Sequence, residues 1–485
     1  MPDNKDSELS EVRPKKVAGQ QAKLLAPNPV GTIVFVLCCF LADTLSQAES
    51  ASGLARLYSF WIGLGISVSL FFDGINGWRN LVRADTVCLS ALYVLTLFEF
   101  LFPQEGFDDF GTAESFRSSL SLITLSFALF AIFRHSFSSR QPPTSWLRFR
   151  EIDSSVLVGF YFFAALLAFL HMFMGVNFNP VRFFEALTGP RFAVPWGRGK
   201  FGDWKALLNE LALFLYIIPP LAAVLWQRRR SLSPIVLFFV IAVFLLTIFQ
   251  GVCGGTRNVL AAYLASFVGA YALTKTKITK FELGLLVGAV GVFFLVAQMH
   301  MLAFRQIGLR RYLSEKKVEE VGVVEEESEE AEIFIDHNLY AISVLKNAFP
   351  EKHPYLGTEV AVWALVKPVP RAVWSGKPEG LSVEIEEVMG VQGMTISTTY
   401  IGEAYMAKGT LGVILASVFF GVLAGWWNRV GTWATSTYGL MVYASGFFAF
   451  AISMRSLFWL TTAILPTLAV IVFYHYYRMQ APSKA

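Results

Sequence analysis

The chain has 485 residues, 55% of them hydrophobic and only 16% charged, with a formal net charge of +4. Soluble domains carry about 25% charged residues, so this composition excludes an ordinary soluble globular domain and points to a polytopic membrane protein. Four cysteines are too few for a disulfide framework; the small net charge says little about partners, because its placement matters more than its total, and no nucleic-acid partner is expected.

The first thirty residues are polar and include Arg13, Lys15, Lys16 and Lys23, with no small-residue cleavage site after the apolar stretch that follows. Residues 1–29 are therefore expected to be a disordered cytosolic tail. Apolar blocks of about twenty residues then recur, the length a helix needs to cross ~30 Å of hydrocarbon. They fall at 30–48, 54–73, 84–102, 118–134, 154–175, 206–226, 232–251, 258–274, 281–304, 399–425, 434–452 and 456–477. The strand-length alternation of a membrane barrel is absent.

The predicted fold is thus all-α, with about twelve transmembrane helices. A nine-helix region spans 30–304 with an outer loop at 176–205, a large extracytoplasmic loop with interfacial helices spans 305–398, three C-terminal helices occupy 399–478, and 479–485 is a cytosolic tail. Loop charge orients the chain. Arg79, Arg83, Arg134, Arg140, Arg148, Arg150, Arg228, Arg229, Arg230, Lys275, Lys277, Lys280 and Arg429 fall on one side, against Arg56, Arg117, Arg257 and Arg455 in the short loops of the other. Lysine and arginine stay inside, so both termini are expected in the cytosol. No repeat of fixed period is visible, which leaves an inverted-repeat transporter without support.

The chemistry is expected in the polar interval from Arg305 to Thr398 and in the turns that share its face. No nucleotide-binding glycine loop and no paired Cys/His cluster occurs, so neither a nucleotide nor a tightly bound metal is expected, and no cofactor is assigned. Outward arginines stand out instead: Arg191 in TGPRFAVPWGRGK, Arg257 in GVCGGTRN, Arg305 at the end of the ninth span, Arg371 in PVPRAVWSGKP and Arg455 before the last span. Planar guanidinium groups bind phosphate oxygens bidentately, which suits a phosphate or diphosphate ligand. An arginine at a span end also snorkels to the interface for purely structural reasons.

In GVCGGTRN, Gly251, Gly254 and Gly255 allow positive φ or close approach, and Thr256 or Asn258 could cap the next helix. In the proline block, Pro368, Pro370 and Pro378 stiffen the chain that carries Arg371 and Lys377, after a short surface helix over Val360–Val366. Candidates for a general base are His337, flanked by Asp336 and Asn338, and Glu403 at the head of the tenth span, with Lys408 as its alternative partner. Asp108 and Asp109 form a weaker acidic pair in the first outer loop. The nine glutamates between Glu315 and Glu332 read as a solvated segment or as a lid.

The order GGTRN, a large outward loop ending in Pro370-Arg371, Trp374 and Lys377-Pro378, and then a helix opening Ile401-Gly402-Glu403-Ala404-Tyr405 resembles the Wzy-type oligosaccharide repeat-unit polymerases, within the O-antigen polymerase and ligase superfamily. The resemblance covers roughly residues 250–478. It implies a bacterial inner-membrane enzyme with a fold like the C-type glycosyltransferases, which joins polyprenyl-diphosphate-linked oligosaccharide units on the outer face. It implies a lipid-linked oligosaccharide substrate and membrane lipids as partners, with a chain-length regulator and a flippase as further ones. Arg257, Arg305 and Arg371 would hold the diphosphate, together with Lys377 and with Arg191 and Arg455 as second choices, and His337 or Glu403 would deprotonate the acceptor. A ligase of the same superfamily and a transporter of the lipid-linked unit are the alternatives.

Overall fold

Short polar side chains mark where many of the helices begin. Asn28, Ser50, Ser233, Thr279 and Ser436 each accept a backbone N–H from the first turn of the helix that follows, and Pro29 and Pro234 open two of those helices. The computed structural model describes residues 24–137, 141–196, 208, 210–275, 277–319, 337–369, 373–378, 380–390 and 397–480, and all the regular structure among them is helical. Asp336, Arg371 and most of the glutamate-rich run lie outside the described residues.

Eight helices are long and apolar enough to cross a membrane: Ala51–Ile75, Ala113–Phe133, Ser154–Gly175, Pro234–Cys253, Phe281–Met301, Thr399–Thr432, Thr437–Arg455 and Leu457–Gln480. Three shorter apolar helices, Pro29–Leu45, Ala84–Thr96 and Leu211–Gln227, accompany them. The protein is a multi-pass membrane protein. Phe281, Leu285, Val292, Leu295 and Met299 leave 58–80% of their surface uncovered, an apolar face suited to lipid rather than water.

Small residues set the tightest crossings. A Cβ on Gly425 would stand 2.5 Å from the Arg134 carbonyl oxygen, and one on Gly65 2.6 Å from the Phe35 ring. Van der Waals contact between close backbones is what holds helices together where lipid is the solvent. At the centre, Tyr438, Met441, Val442, Tyr443 and Ala444 are fully buried.

Several elements depart from single uninterrupted spans. The block expected at 206–226 starts as a 3-10 segment, Leu211–Ile217, before becoming α-helical at Ile218–Gln227 beside Pro219 and Pro220. The last two expected spans are each broken, at Gly446 and around Ser456–Ile464. The helix Thr399–Thr432 is interrupted at Lys408 and Gly409, where φ is −159° and +58°. An interruption orphans carbonyls, and here the backbone N–H groups of Leu356 and Gly357 donate to Met406 and Ala407, each at 2.9 Å.

Three arginines read as loop cations are interior instead. Arg83 and Arg134 are each 1% exposed, and they pair with Asp73 and Asp85 across the ends of three helices. Asn428 donates to Asp85 at 2.6 Å, while Thr32 and Ser69 accept from Arg134. Arg79 is 5% exposed and donates to the carbonyl of Lys275, which closes the helix Arg257–Thr274. Unpaired, such charges could not be buried; two guanidinium and two carboxylate groups neutralise one another.

Candidate functional site

Gly255 organises the first half of the site. Its φ of +57° turns the chain out of the helix ending at Cys253 and into the helix starting at Arg257, and a Cβ there would come within 2.9 Å of the Arg305 Cβ. Only glycine lets the turn pass that close to the end of the neighbouring helix. Thr256 occupies the cap position, yet its hydroxyl donates to the Gly254 carbonyl and makes no cap bond, contrary to expectation.

A second glycine repeats the device. Gly308, at φ +87°, ends the helix that carries Arg305, and a Cβ on it would meet the Gly189 carbonyl carbon at 2.7 Å. The backbone N–H of Arg310 donates to Thr188 at 3.2 Å, which fixes the 188–192 segment against this corner. Arg191 then reaches the Gly255 carbonyl at 3.5 Å. Its guanidinium lies 5.7 Å from the Phe192 ring centroid, and that of Arg305 lies 5.4 Å from the same ring. Three segments far apart in sequence thus bring Arg191, Arg305 and the Gly255–Arg257 turn together. Arg305 makes no ion pair among the described residues, and Phe192 is 76% exposed.

Arg455 emerges at the same end. Its helix runs antiparallel to that of Arg257, with Phe447 against Gly269 and with Phe448 and Ala449 against Ala262, so the two arginines close the same end of the pair. Ser397 donates to the Arg455 carbonyl at 2.9 Å.

Glu403 is 3% exposed and receives the Ser456 hydroxyl on one carboxylate oxygen and the Leu457 N–H, at 2.6 Å, on the other. It closes the turn that follows Arg455, and it is held there rather than by Lys408. The Lys367 ammonium lies 4.5 Å from the centroid of Trp459 in that turn. Lys377 donates to the carbonyls of Lys367 and Val369 at 2.6 and 3.0 Å and lies 5.4 Å from the Trp363 ring centroid, so it staples the proline-rich strap to the helix Glu359–Val366.

His337 lies elsewhere on this end. It is half-buried with φ +42°, its ring centroid 5.6 Å from that of Phe107 and 5.3 Å from that of Phe110. Asn338, which flanks it, is fully buried and donates to the Leu95 carbonyl. Asp108 accepts the Ser52 N–H and hydroxyl at 2.7 and 2.8 Å, tying the first loop to the helix Ala51–Ile75. No cluster of three or more metal-binding side chains occurs among the described residues.

The structure therefore joins Arg191, Arg257 and Arg305 in one corner and Glu403 with Arg455 in another, with His337 packed on the first loop. The Lys367–Trp459 contact was not read from the sequence: its signal was a lysine just ahead of the proline block, indistinguishable from an ordinary interfacial cation. Comparison of the chain with protein-family models, with curated proteins and with solved structures found no match in any of the three.

Proposed function

We propose that the protein is a membrane glycosyltransferase that polymerises polyprenyl-diphosphate-linked oligosaccharide units on the outer face of a bacterial inner membrane. The observation that carries this reading is the corner in which Arg191 and Arg305 flank Phe192 against the Gly255 turn, with the start of the Arg257 helix beside them. A helix N-terminus next to two guanidinium groups favours a diphosphate, and favours it more as negative charge accumulates on a leaving oxygen.

In this reading the bond from the anomeric carbon of the growing chain to its diphosphate oxygen breaks. A hydroxyl oxygen of the incoming unit bonds to that carbon, and its proton passes to a base. Arg191, Arg257 and Arg305 hold the diphosphate; Arg371, assigned to it from the sequence, lies outside the described residues, and Lys377 fastens the strap to the helix Glu359–Val366. His337 serves as the base that takes this proton, and Glu403 acts by holding the Arg455 turn. The twelve-span arrangement comprises the eight long apolar helices, the three shorter ones and Arg257–Thr274, with both termini in the cytosol and residues 305–398 outside, like the C-type glycosyltransferases.

A second reading, transport of the lipid-linked unit, draws on the ionisable groups buried between helices at Asp73, Arg83, Asp85 and Arg134, since charge inside a membrane bundle often marks a path. Two assays separate the readings: purified protein with a lipid-linked repeat unit in detergent, and the same protein in proteoliposomes. Longer lipid-linked chains support polymerisation. Unchanged length with glycan moved to a new acceptor makes it a ligase, and no chemistry at all, with the unit carried across in proteoliposomes, makes it a transporter.

A further inference from the structure

A cleft of about 430 Å³ lies apart from the arginine corner, between the first turns of Ala113–Phe133, the helix Asn338–Ala348 and Thr410 just past the interruption at Gly409. Its polar rim holds Glu114, Arg117, Ser118, Ser121 and Lys346. The Arg117 guanidinium donates to the Ser46 carbonyl at 3.2 Å and stands 3.8 Å from Glu114, a carboxylate 89% exposed that screens it weakly.

Lys346 has no hydrogen-bond or ion-pair partner among the described residues, and burial lowers its pKa. The cleft thus holds two cations against one carboxylate, the largely exposed Glu114 beside Arg117, and a partly buried ammonium left without an ion pair there calls for an anion. Ser121 donates its hydroxyl to Asp43, which also receives the Tyr58 hydroxyl, so that carboxylate is already engaged.

The cleft is graded. On one helix Arg117, Ser118, Ser121, Leu122 and Leu125 form a continuous stripe that passes from charged to hydroxyl to apolar over about two turns. On the facing helix Leu411 and Leu415, following Thr410, are 47% and 58% exposed. A soluble anion has no use for the apolar half; a lipid fits both halves.

We propose that this cleft binds the phosphate headgroup of an anionic membrane lipid, with Arg117 and Lys346 on the phosphate, Ser118 and Thr410 on its other oxygens, and Leu122 and Leu125 against the start of the lipid chain. The site does not rest on the polymerase reading, because it shares no residue with the arginine corner.

The test uses the full chain in nanodiscs of phosphatidylcholine with or without phosphatidylglycerol, and follows acylation of Lys346 by peptide mass spectrometry. Exposed Lys352, six residues on, reports the general surface effect. Phosphatidylglycerol should slow Lys346 about fivefold beyond any change at Lys352, the scale of one cation held by an anionic lipid. Arg117→Gln should remove most of that protection, and Glu114→Gln should deepen it. Arg305→Gln should leave it intact, even where it stops glycan transfer. Equal Lys346 rates in the two lipids, full protection in Arg117→Gln or shallower protection in Glu114→Gln would overturn the site. Equal protection by inorganic pyrophosphate in pure phosphatidylcholine would overturn the lipid and leave a soluble-anion site.

Discussion

The two ends of the helix bundle use arginine in opposite ways. At the Arg83 end, guanidinium groups are spent inside the protein: Arg83 and Arg134 on Asp73 and Asp85, Arg79 on the Lys275 carbonyl, Arg228 on Glu151, and Arg429 on the Gln141 and Pro142 carbonyls. At the Arg305 end, glycine turns and an exposed aromatic ring hold the Arg305 guanidinium, with no ion pair to it among the described residues. The helix Ala113–Phe133, about 32 Å long at 1.5 Å per residue, separates the two styles. The same residue type is thus engaged by carboxylates and carbonyls at one end, while at the other the Arg305 guanidinium rests on a ring with no ion pair among the described residues.

The largest expected effect comes from unbalancing the closed end. Asp85→Ala leaves Arg83 and Arg134 short of a counter-charge and should cost about 3–5 kcal/mol, read as a fall in Tm and in the yield of monodisperse protein. A Tm equal to that of the parent would mean that this network contributes nothing, and the contrast between the ends would collapse.

Arg305→Ala should do the reverse. Loss of one preorganised cation at the leaving group is expected to slow elongation about 10²–10³-fold, with Tm close to the parent's. Normal product lengths would remove Arg305 from the diphosphate; a large loss of Tm would make it structural like Arg134.

Glu403→Gln should be intermediate. The amide oxygen keeps the Leu457 N–H and the NH₂ can donate to the Ser456 hydroxyl, which then accepts, so the exchange costs about 1 kcal/mol of stability. Retention of a measurable fraction of turnover would fit the role of holding the Arg455 turn, whereas complete loss of turnover with unchanged Tm would make Glu403 the base.

The smallest effect belongs to His135, which follows Arg134 and shares a 2.8 Å hydrogen bond with Thr32. Burial first, and then the Arg134 charge, hold its imidazole below the usual histidine pKa. The folded protein therefore keeps it neutral while the unfolded chain takes up a proton as pH falls past ~6.5. Stability should decline as pH falls from there toward the folded pKa. His135→Gln should flatten that slope in a pH series of thermal unfolding; an identical slope would assign it to other groups.

Helices at or within the expected blocks were legible because lipid imposes one requirement on twenty consecutive residues. The glycine turn before Arg257, the short helix before Pro368 and Arg305 at its helix end were legible for the same local reason. Asp73, Arg83, Asp85 and Arg134 were not, because each stands at the edge of an apolar block, and a loop charge and an interior charge look the same there. Nor were Arg117 and Lys346, separated by more than two hundred positions and individually ordinary.

By itself the sequence determined that the chain crosses membranes as helices, and where glycine and proline interrupt it, because hydropathy and backbone sterics act on neighbours in the chain. Only the tertiary structure decided which charges neutralise one another and which are left facing a cleft. Ion pairing acts over a few ångströms of space, and the partners of Arg83, Arg305 and Lys346 are set by how distant helices pack.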